Sequence, residues 1–525
     1  MAQQYSARRV ASLAVAVCLG VSCHGLRQPR ASSGRTTWSA ETGQASVRFD
    51  LEWPESFRTA TGHHALWLFA KYRVNGGPWW PGRLVAVRDS GPDPLLIELS
   101  EDSLGAFLAR RDIGRGLLVR RGLHLQWRPG GDAIPEAAGT RVETRLLALE
   151  MVYVPAGPFS LGDGDVADLA GHFRRSGQGG PFRIGPGDTI VLGQDSLSGL
   201  SNNNAFGMRI PTPFPDRPTS IPDDFNDASR VSLPPAFPTG VSAFYVMEHE
   251  LTQEMYATFL NLLTPTQRAA RNPAPPARPM LHGYSISMVP PFVAFQPDEP
   301  VAYISWPDAA AFADWAGLRP LTELEYEKAA RGSGEPIPGA FAWGSTLIAR
   351  QRYSLSERDT PDEQIRNWAV GVGNAAYEGT MGHPGPSCAS CLSRALPVTA
   401  FDAIGTRADR GVSPVGVSAL SGNLFERVVT VGHPAGRRFD GMPGDGILAA
   451  NGDANGPAVA SWPGAIRDTG GYHVATAVGT GLRGGSFVSS VLRLRISDRA
   501  LAATPIEGRF PTIGIRMART APPVR

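Results

Sequence analysis

Apolar and polar residues alternate along Val47-Arg-Phe-Asp-Leu-Glu-Trp53, the period of a strand with one buried face. The longer apolar run Ala65-Leu-Trp-Leu-Phe-Ala-Lys-Tyr-Arg-Val74 stops at Asn75-Gly76-Gly77, a turn signal. Residues 117–127 and 142–149 continue the pattern. Short strands divided by turns predict a small antiparallel β-sandwich over residues 46–145. Farther along, the period becomes helical. Thr252 is suited to capping a segment that spaces Met255, Tyr256, Phe259 and Leu263 on one face. A second helix is predicted over residues 306–316, after Ser305 and with Pro307 in its first turn. A third covers residues 322–331, where Thr322 and Glu325 form a capping-box pattern and Gly332 is a stop. On that helix Glu323 and Glu327 share a face, Glu325 does not, and Lys328 and Arg331 are near partners. This predicts a structural or solvated helix rather than paired catalytic acids.

The chain of 525 residues has room for about two to four domains. Hydrophobic residues at 42% and charged residues at 19% suffice for a core and exclude a disordered chain. Lys+Arg 50 against Asp+Glu 48 leaves +2, so no basic excess points to nucleic acid. The load of Gly 60 and Pro 46, without a collagen-like period, implies a globular protein rich in loops. No repeat of 20–50 residues is evident. Residues 163–235 are dense in Gly, Asp, Asn and Pro, and read as an elaborated loop region or a partly ordered insertion.

Arg8 and Arg9 precede an apolar run from Val10 to Val21 that is too short to span a bilayer. This is the layout of an export signal. Ser22-Cys23 then resembles a bacterial lipobox with Cys23 as the lipidated residue, although Gly20 sits where such boxes prefer Leu. Ordinary signal cleavage nearby is the alternative. Either way an exported protein is expected, in the cell envelope or outside the cell, touching membrane only through a lipid anchor. The boundaries read as a signal over 1–23, a linker over 24–45, the β-sandwich over 46–145 and a larger domain over 146–525. Besides Cys18 and Cys23, the chain has Cys388-Ala-Ser-Cys391. That pair is a local disulfide, two spare thiols, or a redox or metal pair; a single CxxC is a weak metal signal.

Met151-Val-Tyr-Val-Pro-Ala-Gly-Pro-Phe159, Glu250-Leu-Thr-Gln253, Pro300-Val-Ala-Tyr-Ile-Ser-Trp-Pro-Asp-Ala309 and Arg319-Pro-Leu-Thr-Glu-Leu-Glu-Tyr-Glu-Lys-Ala-Ala-Arg-Gly332 occur in that order. Phe341-Ala-Trp-Gly344, Leu420-Ser-Gly-Asn-Leu-Phe-Glu426, Arg483-Gly-Gly-Ser-Phe487 and Ile513-Gly-Ile-Arg516 follow. Together they resemble the formylglycine-generating enzyme (sulfatase-modifying factor) domain family over about residues 146–525. The resemblance implies an α+β fold: the family's C-type-lectin-like variant, with many loops. It also implies copper(I) held by two cysteines shortly after the Arg-Gly-Gly-Ser motif, since soft thiolates suit that ion. Here the stretch from Arg483 to Arg499 has no cysteine, and Ser489 falls near the first expected thiol. Copper chemistry is therefore not expected. Sulfoxide-synthase relatives use three histidines on a separate helical domain, and no such domain is visible here. The resemblance further implies calcium at Asn423, the Leu424 carbonyl and Glu426, with Asn374 starting a second loop; calcium favours such oxygen donors. Arg427 could instead neutralise Glu426.

Other segments read as structural. His249-Glu250 lacks the second histidine of HExxH, and the remaining histidines are scattered apart from His63-His64. Asn451-Gly-Asp-Ala-Asn-Gly456 begins like an EF-hand loop, but its twelfth position is Trp462, so a turn is expected. Residues 493–496 alternate as a strand with a basic face, which either pairs with Asp498 and nearby acids or lines an anionic pocket. Trp79-Trp80 suits packing better than a ligand platform. Two functions remain. The first is a non-catalytic scaffold or binding module for a protein or glycan. The second is an oxygen-using oxidoreductase with a different metal set, and sulfatase maturation is a weaker third.

Overall fold

The fold comes from a computed structural model. It describes residues 29–523 except 35, 40, 61, 132–133, 135–139, 165–170, 194–198, 203–230, 274–282, 383–393 and 403. The signal segment, Cys23, Cys388 and Cys391 thus lie outside the described residues. No helix among the described residues is long and apolar enough to cross a membrane.

The amino-terminal part contains β1 (Gln44–Arg58), β2 (His64–Val74), β3 (Trp80–Arg88), β4 (Leu96–Leu99), β5 (Gly105–Ala109), β6 (Gly114–Pro129) and β7 (Val142–Val154). The alternation read in the sequence is physical: Val47, Phe49, Leu51 and Trp53 point inward from β1. They share one core cluster with Leu66, Leu68 and Ala70 of β2. Two strands separate β1 from β2 in the order β1-β6-β3-β2-β7, so the sheet folds back over its own apolar face.

The expected boundary at residue 146 does not separate two sheets. β7 runs through it and pairs antiparallel with β2 on one side and with β8 (Phe244–Met247) on the other. β8 continues to β13 (Met517–Thr520) and β9 (Arg319–Pro320), giving one 12-stranded sheet across the chain. The reason is length: β7 has 13 residues, and its amino-terminal part alone reads as a finished strand.

Beyond β8 the three expected helices form. They are α1 (Gln253–Asn261), α2 (Trp306–Trp315) and α3 (Glu323–Arg331), capped by Thr252, Ser305 and Thr322. Gly332 ends α3 at φ 71°, a conformation that costs glycine little. The insertion is partly regular. Phe173, Phe182, Ile184, Leu192 and Leu200 join the main core, while residues 203–230 lie outside the described set. A small sheet of β10 (Phe425–Val429), β11 (Thr480–Arg483) and β12 (Ile513–Gly514) brings the later motifs together.

Three readings need correction. First, α3 is buried along its whole length, so it has no solvated face. Its acids pair mainly with arginines from outside the helix, because one helix cannot neutralise carboxylates pointing in three directions. Second, residues 491–494 form a 3₁₀ turn rather than a strand, and Arg493 meets Asp498 at 3.0 Å. Third, His249 is not isolated from the His63-His64 pair: His64 and His249 meet at the Glu248 carboxylate.

Candidate functional site

A cleft of about 190 Å³ opens between the amino-terminal strands and the loop over residues 399–418. β1 contributes Glu55 and Phe57, β6 contributes Arg115, and the loop brings Asp402, Arg407, Arg410 and Ser418. The floor is set by the central ladder. His64 starts β2, Glu150 lies on β7, and Glu248-His249 follow β8. The Glu248 N–H donates to the Glu150 carbonyl at 3.0 Å, and the Ser418 N–H donates to the Glu248 carbonyl at 3.0 Å. The side chains are therefore held from rigid elements rather than from loop tips alone.

Glu248 is the meeting point. His64 Nδ1 lies 3.1 Å from its Oε2, and His249 Nε2 lies 3.7 Å from its Oε1. Glu150 Oε1 accepts a hydrogen bond of 2.6 Å from the Trp53 indole. Burial dominates the proton affinities. It drives His64 and His249 down to about 3, helped by His63 at the first and Arg516 at the second. The imidazoles are thus neutral near pH 7. Burial pushes the Glu150 carboxyl up to about 8, against the Trp53 hydrogen bond. Burial and the neighbouring Glu150 raise Glu248 well above the usual carboxylate range.

A narrower extension shares Asp402, Arg410, Val412 and Ser418 with the cleft and reaches Asn374 and Asn423. Both amides brace loops. Asn374 Nδ2 donates to the Ala369 and Asp409 carbonyls, and its Oδ1 accepts from the Ala369 N–H. Asn423 Nδ2 donates to Glu250 Oε2 at 2.6 Å, and its Oδ1 accepts from the Leu396 N–H. The Leu424 N–H donates to Glu250 Oε1 at 2.8 Å. Glu426 accepts from Arg516 Nε at 2.9 Å, while its Oε2 is buried without a hydrogen bond. Arg427 does not neutralise Glu426; it donates to the Ile304, Ile506 and Gly508 carbonyls.

Ser489, at the expected thiol position, is 8% exposed. Its hydroxyl accepts from the Ser486 N–H at 2.9 Å and touches the Ser486 hydroxyl at 3.1 Å. Its carbonyl accepts from the Glu378 N–H. The donor set is hard hydroxyl oxygen closed into a turn, and it does not fit copper(I), which needs soft sulfur. Arg483 of the same motif is fully buried between Glu323 and Glu327.

Sequence reasoning missed the Glu150, Glu248, His249 and His64 group. Two of its signals were visible, the His63-His64 pair and the His249-Glu250 dipeptide. The ladder register that joins them is a long-range property.

The structure is mixed, with many strands and few helices. The sequence pattern of the "Sulfatase-modifying factor enzyme 1-like domain" matches residues 217–521, more than half of the chain, and the protein belongs to that family. The chain is 45% identical over 58 residues to the formylglycine-generating enzyme of Thermomonospora curvata, covering 11% of this chain and 18% of the relative. The bovine (Bos taurus) formylglycine-generating enzyme is 39% identical over 61 residues, covering 12% and 16%. Hercynine oxygenase of Mycolicibacterium smegmatis is 47% identical over 51 residues, covering 9% and 11%. The chain thus matches less than a fifth of the length of these curated relatives.

Proposed function

We propose that this chain is a binding member of its family that does not carry out copper-dependent oxidation of cysteine, and that ligands engage the cleft. The observation that carries this reading is the Ser486–Ser489 turn, where the Ser489 hydroxyl, near the position of the first expected thiol, is bonded to Ser486. Arg115, Arg407 and Arg410 line the cleft together with Glu55 and Asp402, a mixed charged lining that supports a polar protein or glycan ligand. The arginine-led apolar leader supports export, with Cys23 as the anchoring residue of an envelope protein. A calcium ion at Asn423, Leu424, Glu426 and Asn374 would have to replace loop hydrogen bonds, so in this reading calcium is at most a structural ion.

The test is oxygen consumption and product mass with a cysteine-containing peptide, in the presence of copper(I). No oxygen-dependent turnover is expected. Turnover that disappears in the Cys388→Ser variant would overturn the reading and make the chain an oxidase with a relocated thiol.

A further inference from the structure

The cleft floor carries more than a shape. Glu150, Glu248 and His249 each offer one ligand atom, and these atoms lie within 4.8 Å of one another. No other such group of three occurs among the described residues. A second observation is independent of the acids. His64 is 9% exposed and turns Nδ1 towards Glu248, yet that nitrogen has no properly directed hydrogen bond, and neither has His249 Nδ1. Buried polar nitrogens are normally satisfied, so a His64 Nδ1 without a directed bond 3.1 Å from Glu248 Oε2 calls for a further partner at that carboxylate. Arg516 does not supply it. Its guanidinium is committed to Glu426 and to the carbonyls of Met247, Glu248 and Ser418.

We propose that Glu150, Glu248 and His249 hold a divalent transition-metal ion at the floor of the cleft, with His64 orienting Glu248 from its far side. The mixed imidazole and carboxylate donors suit zinc or a first-row ion such as cobalt(II), manganese(II) or iron(II), and not copper(I). Binding requires the donors to close to about 2.0–2.2 Å from a common centre, a movement of side chains on a fixed ladder. Three protein donors leave a coordination position facing the cleft, where a ligand group can bind. The inference goes beyond the binding reading: peptide oxidation tests that reading, and metal content tests this site.

The experiment uses the untagged full chain, stripped with EDTA and titrated with cobalt(II) while its absorption is followed, with zinc(II) calorimetry in parallel. One equivalent is expected, with weak visible ligand-field bands and no near-ultraviolet thiolate charge-transfer band. Glu248→Gln and His249→Gln are each expected to weaken binding at least tenfold, in line with roughly 10–100-fold effects even for outer partners of metal sites. The Cys388→Ser/Cys391→Ser double variant is expected to bind like the parent. A thiolate band, loss of binding in the cysteine double variant, undiminished affinity in both floor variants, or no bound ion would each overturn the proposal. Circular dichroism checks that the variants fold. If they do not, the donor signature in the parent's cobalt spectrum decides.

Discussion

Two of the places in this molecule that enclose glutamates treat them in opposite ways. Around α3, Glu323 meets Arg499 at 2.7 Å and Arg483 at 3.1 Å, and Glu327 meets Arg483 at 2.8 Å. Glu325 is paired with Arg319 at 2.6 Å while also closing the capping box with Thr322. Burial alone would raise the Glu323 carboxyl, but Arg499 and Arg483 outweigh it and hold it below the usual range. At the cleft floor, burial and Glu150 raise Glu248, and the imidazoles beside it are neutral. Residues of similar type thus become fixed ionic struts in one place and unspent donors in the other. The family motifs built around Arg483 and Glu323 hold the scaffold, while the donors with spare capacity come from β2, β7 and the end of β8.

The sharpest way to break the contrast is Glu323→Ala. It removes the Glu323 carboxylate from Arg499 and leaves Arg483 with Glu327, and a loss of about 3–5 kcal/mol in urea unfolding is expected. A loss below about 1 kcal/mol would mean that the arginines find other partners and that the two regions are alike. A smaller effect is expected at Asn374, on the extension between scaffold and cleft. Asn374→Ala removes the bonds to Ala369 and Asp409. It is expected to cost roughly 1–3 kcal/mol by leaving backbone groups unpaired. If Asn374 is a loop brace, neither EGTA nor added calcium changes the melting temperature of parent or variant. A calcium-dependent rise in the parent alone would move Asn374 from the scaffold to the ligand-binding side of the comparison.

How far these regions could be read from sequence follows the same division. The caps at Thr252, Ser305 and Thr322 are local patterns, and all three appear in the structure. The strand alternation at Val47–Trp53 is equally local. The partners of α3 were not legible, because Arg483 and Arg499 lie more than 150 residues away from Glu323. The continuity of β7 across residue 146 was missed because a strand's end is set by its neighbours, here β2 and β8, as much as by its own residues. The cleft floor was the least legible feature. His64, Glu150 and Glu248 are separated by long stretches of chain, and only the ladder register places them side by side.

The smallest expected effect probes the cleft floor itself. In the metal-free chain burial and Glu150 disfavour the charge on Glu248 and raise its proton affinity. A protonated carboxyl and a primary amide have nearly the same size, and each offers one carbonyl oxygen and a donor. Glu248→Gln is therefore expected to change stability by less than about 1 kcal/mol, since it creates neither a cavity nor an unpaired charge. This is far less than at Glu323, where the same loss of charge would remove the carboxylate that Arg483 and Arg499 share. Urea unfolding of the EDTA-treated parent and variant makes the measurement. A loss of more than about 2 kcal/mol would show that Glu248 is ionised and paired in the resting chain. The floor would then be another ionic strut, and the difference between the two regions would vanish.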